Sequence, residues 1–201
     1  MLMTRTSTRY EAIASYIWRC ACNARSGNDD QPTRVRFDVE VRNRLKPTLR
    51  RGYFGNAVLG TVTSTCLYGD ILSKPLSYAA GKIREAAERM DDEYMRSTLD
   101  FIKSHEDVTL LRNNLHVRGY TDSPFLGNPN LYIGSLINLQ FYAAYFGWGK
   151  PTYVGSSVLR NDGKSFILPS PEYDGSLIIA LRLQTEYMDS FKKFFYQDMQ
   201  A

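Results

Sequence analysis

Two histidines, His105 and His116, are the side chains of this 201-residue chain best suited to general acid–base chemistry. An imidazole has a pKa of about 6.5, so it can take up and return a proton near neutral pH. His105 falls at the end of a predicted helix and His116 in a predicted loop, which favours surface positions for both. Neither histidine is therefore predicted to act as a general base.

Other catalytic or metal-binding patterns are not found. The sequence has no Gly-x-Ser-x-Gly elbow, no glycine-rich phosphate loop ending in Lys-Ser or Lys-Thr, and no His-Glu-x-x-His. A predicted helix begins at the acidic run Asp91, Asp92 and Glu93. Carboxylates at a helix start are stabilised by the positive end of the helix dipole, and adjacent ones do not converge on one ion. The three cysteines, Cys20, Cys22 and Cys66, lack zinc-ligand spacing and are predicted to be reduced, packed thiols. We predict no catalytic residue and no metal site in this chain.

Composition sets limits on the class of protein. The chain is 43% hydrophobic and 13% aromatic, enough to form one sizeable core or part of a larger one. Its 25 basic and 21 acidic residues are scattered, so the net charge of +4 suits a small anionic ligand and does not indicate nucleic acid. No segment has the pattern of a signal peptide or a membrane span. A cytoplasmic protein without a membrane partner is predicted.

The most informative stretch covers residues 130–155, in which an apolar, strand-like run leads to a Gly-Trp-Gly turn followed by Lys150 and Pro151. Gly147 and Gly149 allow backbone conformations that a side chain would disfavour, and Pro151 prevents a helix here. Trp148 is large enough to anchor the turn in a core, and that is its expected role.

The run Tyr145, Phe146, Gly147, Trp148 and Gly149 resembles the Asp-Phe-Gly-Trp-Gly signature of the plant acyl-CoA-dependent acyltransferases called the BAHD family, with Tyr145 in place of the aspartate. The run Tyr53, Phe54, Gly55 and Asn56 resembles the Tyr-Phe-Gly-Asn motif of the same family, at the expected distance upstream. The similarity extends from about residue 8 to the carboxyl terminus and is greatest to hydroxycinnamoyltransferases that acylate shikimate, quinate or spermidine. It implies an α/β fold, namely a chloramphenicol acetyltransferase-like half-domain with a mixed sheet flanked by helices.

The family draws its general base from a His-x-x-x-Asp motif in the amino-terminal half. Here Thr109 stands four residues after His105 and Tyr120 four residues after His116, so neither histidine matches. The resemblance therefore implies that residues 1–201 form a single domain like the carboxyl-terminal domain of the family, with the amino-terminal domain absent. It also implies hydroxycinnamoyl-CoA as co-substrate without another cofactor, a small amine or hydroxyl acceptor, and a monomer when the protein is complete.

Arg42 and Arg44, with Glu40 before them, resemble the Asp-x-Arg-x-Arg segment of the family, in which an arginine pairs with the aspartate of the signature. With Tyr145 at that position, the arginine would lose its carboxylate. In a buried site the cost would be about 3–5 kcal/mol, so we expect a marginally stable chain that Tyr145→Asp stabilises. In a site open to water the cost would be only about 0–1 kcal/mol. From the residues alone, two arginines at a strand end equally fit a solvated edge.

Two further roles follow from the resemblance. Residues 53–56 are expected beside the acyl-donor tunnel. Asn138 stands where shikimate-acylating relatives have an arginine that binds the acceptor carboxylate, on the strand leading to the signature. A neutral amide cannot form that charged, bidentate contact, so a spermidine-like acceptor is expected. The alternative is that Asn138 is an ordinary polar residue of a strand.

The remaining elements follow from periodicity and capping signals. Thr8 and Glu11 fit a capping box. Helices are predicted to begin near residues 8, 73, 92 and 185. Strands are predicted at residues 33–41, 57–67, 164–169 and 176–183 besides the run before the signature; the second is expected to be central and the last two to pair.

Two functions remain open from the sequence. The chain is either the substrate-binding half of a hydroxycinnamoyltransferase or a truncated, non-catalytic relic or binding protein of the same fold.

Overall fold

A computed structural model of the chain describes residues 6–106, 127–156, 159–172 and 174–197. Within these ranges the chain forms five α-helices, a short 3-10 helix and seven strands. In chain order they are α1 (Arg9–Arg25), β1 (Pro32–Thr33), β2 (Val35–Glu40), β3 (Val58–Val62), β4 (Cys66–Leu67), α2 (Tyr68–Ser73), α3 (Leu76–Glu88), α4 (Asp92–Lys103), β5 (Leu131–Ser135), the 3-10 helix (Phe141–Ala143), β6 (Lys164–Pro169), β7 (Leu177–Arg182) and α5 (Thr185–Gln197).

Helix α1 begins at the predicted capping box. The Thr8 hydroxyl accepts a hydrogen bond from the Glu11 amide at 3.2 Å, and the Glu11 carboxylate accepts one from the Thr8 amide at 2.9 Å. Arg84 of α3 approaches the same carboxylate at 2.7 Å. Burial alone would raise the pKa of Glu11, but the hydrogen bonds from Arg84 and Thr8 outweigh it and lower that pKa. The cap therefore also joins α1 to α3.

Five strands form one mixed sheet in the order β3-β2-β5-β6-β7. Strand β2 is parallel to β5, and β5 is parallel to β6, whereas β3 and β7 run antiparallel to their neighbours. The predicted pairing of the two strands after the signature is confirmed, with Lys164 opposite Arg182 and Pro169 opposite Leu177. Strands β1 and β4 pair separately.

The core lies between this sheet and its helices. Helix α1 packs against α3 and α5, and its Tyr10 donates a hydrogen bond to the carbonyl of Ile133 on β5 at 2.8 Å. Burial is the main cause of the raised pKa of Tyr10. Alternate residues of β2 and β5, including Phe37 and Ile133, join the buried cluster around Ile17 and Trp18. Cys20, Cys22 and Cys66 are buried, and none of the three forms a disulfide bond.

A buried ion pair ties α1 to the loops on either side of β5. Arg25, whose side chain is 1% exposed, lies 3.1 Å from the Asp162 carboxylate and donates to the carbonyls of Pro129 and Asn130. The same carboxylate accepts hydrogen bonds from the amides of Asn128 and Gln184, both at 2.8 Å. One aspartate thus holds three segments that are distant in sequence.

Three expectations about the elements need correction. The segment 57–67 is not a central strand, because β3 is the last strand on one side of the sheet that the structure describes, and the chain turns away after Val62. Helix α2 was not predicted, since its six residues are too few to show a helical period. Asn138 lies in a turn beyond the end of β5, not on a strand.

Much of the predicted surface connection at residues 110–130, together with His116, Thr109 and Tyr120, lies outside the described residues. In the part that is described, we find no helix whose length and hydropathy would let it cross a membrane.

Candidate functional site at the carboxyl edge of the sheet

Residues 53–56, just before β3, and Asn138, just after β5, lie at one edge of the sheet. The three parallel strands β2, β5 and β6 end there at Glu40, Ser135 and Pro169. The antiparallel strands β3 and β7 begin there, and Arg9 at the start of α1 donates to the Gly175 carbonyl just before β7. In open α/β sheets, ligands bind beyond the carboxyl ends of the strands. This edge is therefore the candidate site.

The loop from β2 to β3 carries the two arginines. Arg42 forms an ion pair with Glu40 at 3.2 Å and donates to the Gly55 carbonyl at 3.3 Å. Arg44 donates to the carbonyls of Ala87 and Met90, at 2.5 and 3.3 Å, where α3 ends. A cation is favoured there because the last carbonyls of a helix are unpaired and carry its negative dipole end.

The four residues of the Tyr53-Phe54-Gly55-Asn56 motif form the end of the same loop. The Tyr53 ring folds over Gly55, where an added Cβ would lie 2.6 Å from the tyrosine oxygen, so a side chain at this position would displace the tyrosine ring. Asn56 accepts a hydrogen bond from the Val58 amide at 3.3 Å and shapes the entry to β3. Phe54 is fully exposed. The group that lies close to the Gly55 backbone is thus the Tyr53 side chain of the same motif.

Asn138 lines an open cavity of about 430 Å³ at this edge. The cavity lies between residues 137–143, the end of β6, the start of β7, and Arg9. Arg9 is the charged residue among its described walls. Tyr142 supports one wall, because its hydroxyl accepts a hydrogen bond from the Val154 amide at 3.2 Å. The cavity is large enough for a small molecule.

The Tyr145-Phe146-Gly147-Trp148-Gly149 turn lies on the surface. Gly147 and Gly149 have φ values of +102° and +118°, which strain any residue other than glycine. Trp148 is 87% exposed and Phe146 is 73% exposed. The expectation that Trp148 anchors the turn in a core is wrong for this chain: the tryptophan contacts Phe146, with ring centroids 6.3 Å apart.

Tyr145 and the two arginines have separate partners in the described structure. Tyr145 is 66% exposed, and its hydroxyl donates to the Gly147 carbonyl at 3.4 Å. Arg42 binds Glu40 and Gly55, and Arg44 binds the end of α3. The structure therefore does not bring position 145 and these guanidinium groups together, and an arginine partner for the turn stays a prediction.

A polar group on the sheet was not found by sequence reasoning. The Tyr132 hydroxyl of β5 donates to the Asp38 carboxylate of β2 at 2.5 Å, and the Lys164 ammonium lies 5.6 Å from the Tyr132 ring centroid. Burial and the bond to Asp38 raise the pKa of Tyr132, so the phenol keeps its proton. The alternation of the strands could have shown that these residues share a face, but not which strands are neighbours.

No histidine occurs among the described residues that line the cavity at the sheet edge. His105 is exposed at the end of α4, with Nδ1 2.8 Å from the Phe101 carbonyl. Helix α4 separates His105 by about 20 Å from Asp92 at its other end, where Asp92 binds the loop after β2. Aromatic rings, amides and cations make up the edge, and these groups suit binding and orientation.

Comparison with known proteins decides the family. A protein-family model described as the Transferase family matches residues 2–198. The chain belongs to this family, the BAHD acyltransferases. It is 43% identical over 197 residues to a hydroxycinnamoyl-CoA:piscidic acid hydroxycinnamoyltransferase of Actaea racemosa. The matched region covers 97% of this chain and 44% of the relative. The chain is 42% identical over 187 residues to a shikimate O-hydroxycinnamoyltransferase of Nicotiana tabacum, covering 93% of this chain and 41% of that enzyme.

Solved structures agree on the fold. A crystal structure of TRI101 of F. sporotrichioides, in complex with coenzyme A and T-2, matches with a TM-score of 0.74 at 18% identity, over 94% of this chain and 42% of that one. A crystal structure of vinorine synthase matches with a TM-score of 0.69 at 17% identity, over 96% of this chain and 42% of that one. The chain thus has the predicted chloramphenicol acetyltransferase-like fold, a mixed sheet flanked by helices. It spans less than half the length of these BAHD relatives.

Proposed function

We propose that this chain is the substrate-binding, carboxyl-terminal part of a cytoplasmic, monomeric hydroxycinnamoyltransferase, which moves a hydroxycinnamoyl group from CoA to an amine or hydroxyl acceptor. The observation that carries the proposal is that residues 53–56, just before β3, and Asn138, just after β5, belong to segments at the same edge of the sheet, where Asn138 lines a cavity. The similarity to hydroxycinnamoyltransferases over nearly the whole chain supports the donor class. Residues 53–56 border the acyl donor in this proposal, and Asn138 faces the acceptor.

The acceptor preference follows from the neutral amide at position 138. A carboxylate acceptor such as shikimate would lack a bidentate, charged partner at that position. A spermidine-like amine requires no such partner. We therefore propose amine acceptors ahead of carboxylates.

The exposed aromatic residues support a missing partner domain. Phe54 of the first motif and Phe146 and Trp148 of the signature turn expose large apolar surfaces, although side chains of this size are normally buried. An amino-terminal domain packed against them would cover this surface and bring the His-x-x-x-Asp motif of the family to the sheet edge. That histidine would supply the general base, whose contribution is typically about 10²–10⁴-fold in rate.

A fusion experiment tests this function. The 201-residue chain is assayed with p-coumaroyl-CoA or caffeoyl-CoA and with spermidine or shikimate, alone and fused behind the amino-terminal half of the tobacco relative. We expect no transfer by the chain alone and transfer by the fusion. A fusion with alanine at the histidine of the His-x-x-x-Asp motif is the matched control.

Transfer by the isolated chain that persists when His105 and His116 are both replaced would contradict the proposed division of labour.

The second candidate is a non-catalytic relic or binding protein of the same fold. Tyr145, in place of the signature aspartate, is the observation that favours it. A folded fusion that binds CoA but never transfers, together with an upstream stop codon in the gene, would establish this second candidate.

A further inference from the structure

A strongly basic segment precedes the Tyr53-Phe54-Gly55-Asn56 motif. Residues 42–51, which we call the basic loop, contain five cations: Arg42, Arg44, Lys46, Arg50 and Arg51. No acidic residue occurs from position 41 to position 56. This concentration of charge contrasts with the even scatter of charges along the rest of the chain.

Two of the five cations hold the loop in place. Arg42 is paired with Glu40 and the Gly55 carbonyl, so it closes the loop across its own base. Arg44 fastens the loop to the end of α3. Their guanidinium groups are therefore committed to structure.

The backbone of the loop is fixed as well. The Lys46 amide donates to the Asp92 carboxylate at 2.7 Å, and Arg96 donates to the Lys46 carbonyl at 2.5 Å. The hydrogen bond from Arg96, with that from the Lys46 amide, holds the pKa of Asp92 below its usual value. The Leu49 amide bonds to the Arg42 carbonyl at 3.0 Å. A loop held in this way presents its remaining side chains at little cost in conformational entropy.

Lys46, Arg50 and Arg51 are those remaining side chains. All three are exposed, and the ion pairs found among the described residues do not include them. The exposed ring of Phe54 follows Arg51 by three positions. Exposed cations in the segment that leads directly to an exposed aromatic ring suit a ligand that combines phosphates with a flat heterocycle.

We propose that Lys46, Arg50 and Arg51 bind the phosphates of the 3′-phosphoadenosine diphosphate end of CoA, and that Phe54 stacks on its adenine. This assignment rests on the proposed function, from which the donor is taken. The three phosphates carry about four negative charges near neutral pH, and the flat guanidinium groups can each bind two phosphate oxygens. The pantetheine arm would then run from the basic loop toward residues 53–56.

Calorimetric titration of the 201-residue chain with CoA, 3′-dephospho-CoA and pantetheine tests the assignment. We expect CoA to bind most tightly, 3′-dephospho-CoA more weakly and pantetheine weakest, with affinity for CoA falling as salt is added. The Arg50→Ala/Arg51→Ala variant should bind CoA about ten- to a hundredfold more weakly, because each charge-assisted hydrogen bond is worth about tenfold or more. Its affinity for pantetheine should not change.

The matched control removes two cations from elsewhere on the surface. Lys192 and Lys193 of α5 are exposed, so Lys192→Ala/Lys193→Ala changes the net charge equally and should keep the affinity for CoA within about twofold. Circular dichroism of both double variants checks folding, and Phe54→Leu tests the stacking separately.

The proposal is overturned if the chain does not bind CoA, if Arg50→Ala/Arg51→Ala binds CoA as well as the control does, or if inorganic pyrophosphate binds as tightly as CoA. These outcomes are distinct from failure of the proposed function. The fusion can transfer acyl groups while holding the phosphates elsewhere, and a non-catalytic chain can still bind CoA through the basic loop.

Discussion

Position 145 shows how the environment of a residue decides the cost of replacing it. A tyrosine in place of the family aspartate would be costly in a buried pair, because the arginine would remain desolvated without its partner. The structure instead leaves Tyr145 66% exposed and gives Arg42 and Arg44 other partners. We therefore do not expect the large penalty in this chain.

For Tyr145→Asp we expect a change of less than about 1 kcal/mol in the free energy of unfolding, since exposed charge pairs contribute little. Denaturant melts at neutral pH measure it. Tyr153→Asp, at a tyrosine that is 64% exposed, is the matched control. Stabilisation by about 3–5 kcal/mol from Tyr145→Asp but not from Tyr153→Asp would show that position 145 lies against a buried arginine without a carboxylate partner.

Asn138 is the second residue whose role depends on its surroundings. In the active fusion, Asn138→Arg should improve the use of shikimate relative to spermidine by about 1.5–3 kcal/mol, the value of a hydrogen bond to a charged group. The ratio of kcat/KM for the two acceptors measures it. Gln140→Arg, on the same cavity wall, controls for charge alone. A fusion that already prefers shikimate with Asn138 in place would refute the proposed role.

At the scale of elements, the sheet edge depends on how the loops are fixed to helices. Capping by Thr8 and Glu11 sets the start of α1, and Arg84 carries that constraint to α3. At the other end of α1, Arg25 and Asp162 hold the loops around β5 and the connection from β7 to α5. The loops around the central strands are thus held by side chains outside the sheet.

Asp162→Ala should lower the free energy of unfolding by about 3–5 kcal/mol, because it leaves the buried Arg25 charge and two backbone amides without their acceptor. Chemical denaturation provides the measurement. Asp100→Ala removes a carboxylate from an exposed pair with Lys103, whose side chain is 76% exposed, and should cost no more than about 1 kcal/mol. Equal effects of the two substitutions would show that burial of Arg25 is unimportant.

At the scale of the whole molecule, the two tryptophans report on two different surfaces. Trp18 is completely buried in α1, where its indole donates to Thr33, and Trp148 is 87% exposed in the signature turn. If an amino-terminal domain covers the turn, only the second tryptophan should change its environment. The chain therefore contains its own probe of the proposed assembly.

Acrylamide should quench one of the two tryptophans readily in the isolated chain and quench it much less in the fusion, because the added half would shield Trp148. Stern–Volmer plots measure the accessible fraction. The variants Trp148→Phe and Trp18→Phe assign the signals. Equal quenching of Trp148 in both forms would count against a domain packed on this turn.

The local elements were determined largely by the sequence. The capping box, the helical stripe of α1, the start of α5 and the pairing of β6 with β7 all depend on neighbouring residues, which sequence patterns record directly. The family resemblance depended on two short motifs at a fitting separation. Because members of one family share a fold, the resemblance also predicted the fold. Helix α2 was missed because six residues are shorter than two helical turns.

Only the tertiary structure decided which distant residues meet. Nothing in the local pattern shows that β3 lies at the side of the sheet, that Arg44 binds the end of α3, or that Asp162 serves Arg25. Large aromatic residues are buried in most proteins, so a sequence pattern predicted that Trp148 would be buried too. Its exposure depends on which surfaces the rest of the chain can reach, and burial is a property of the assembled molecule.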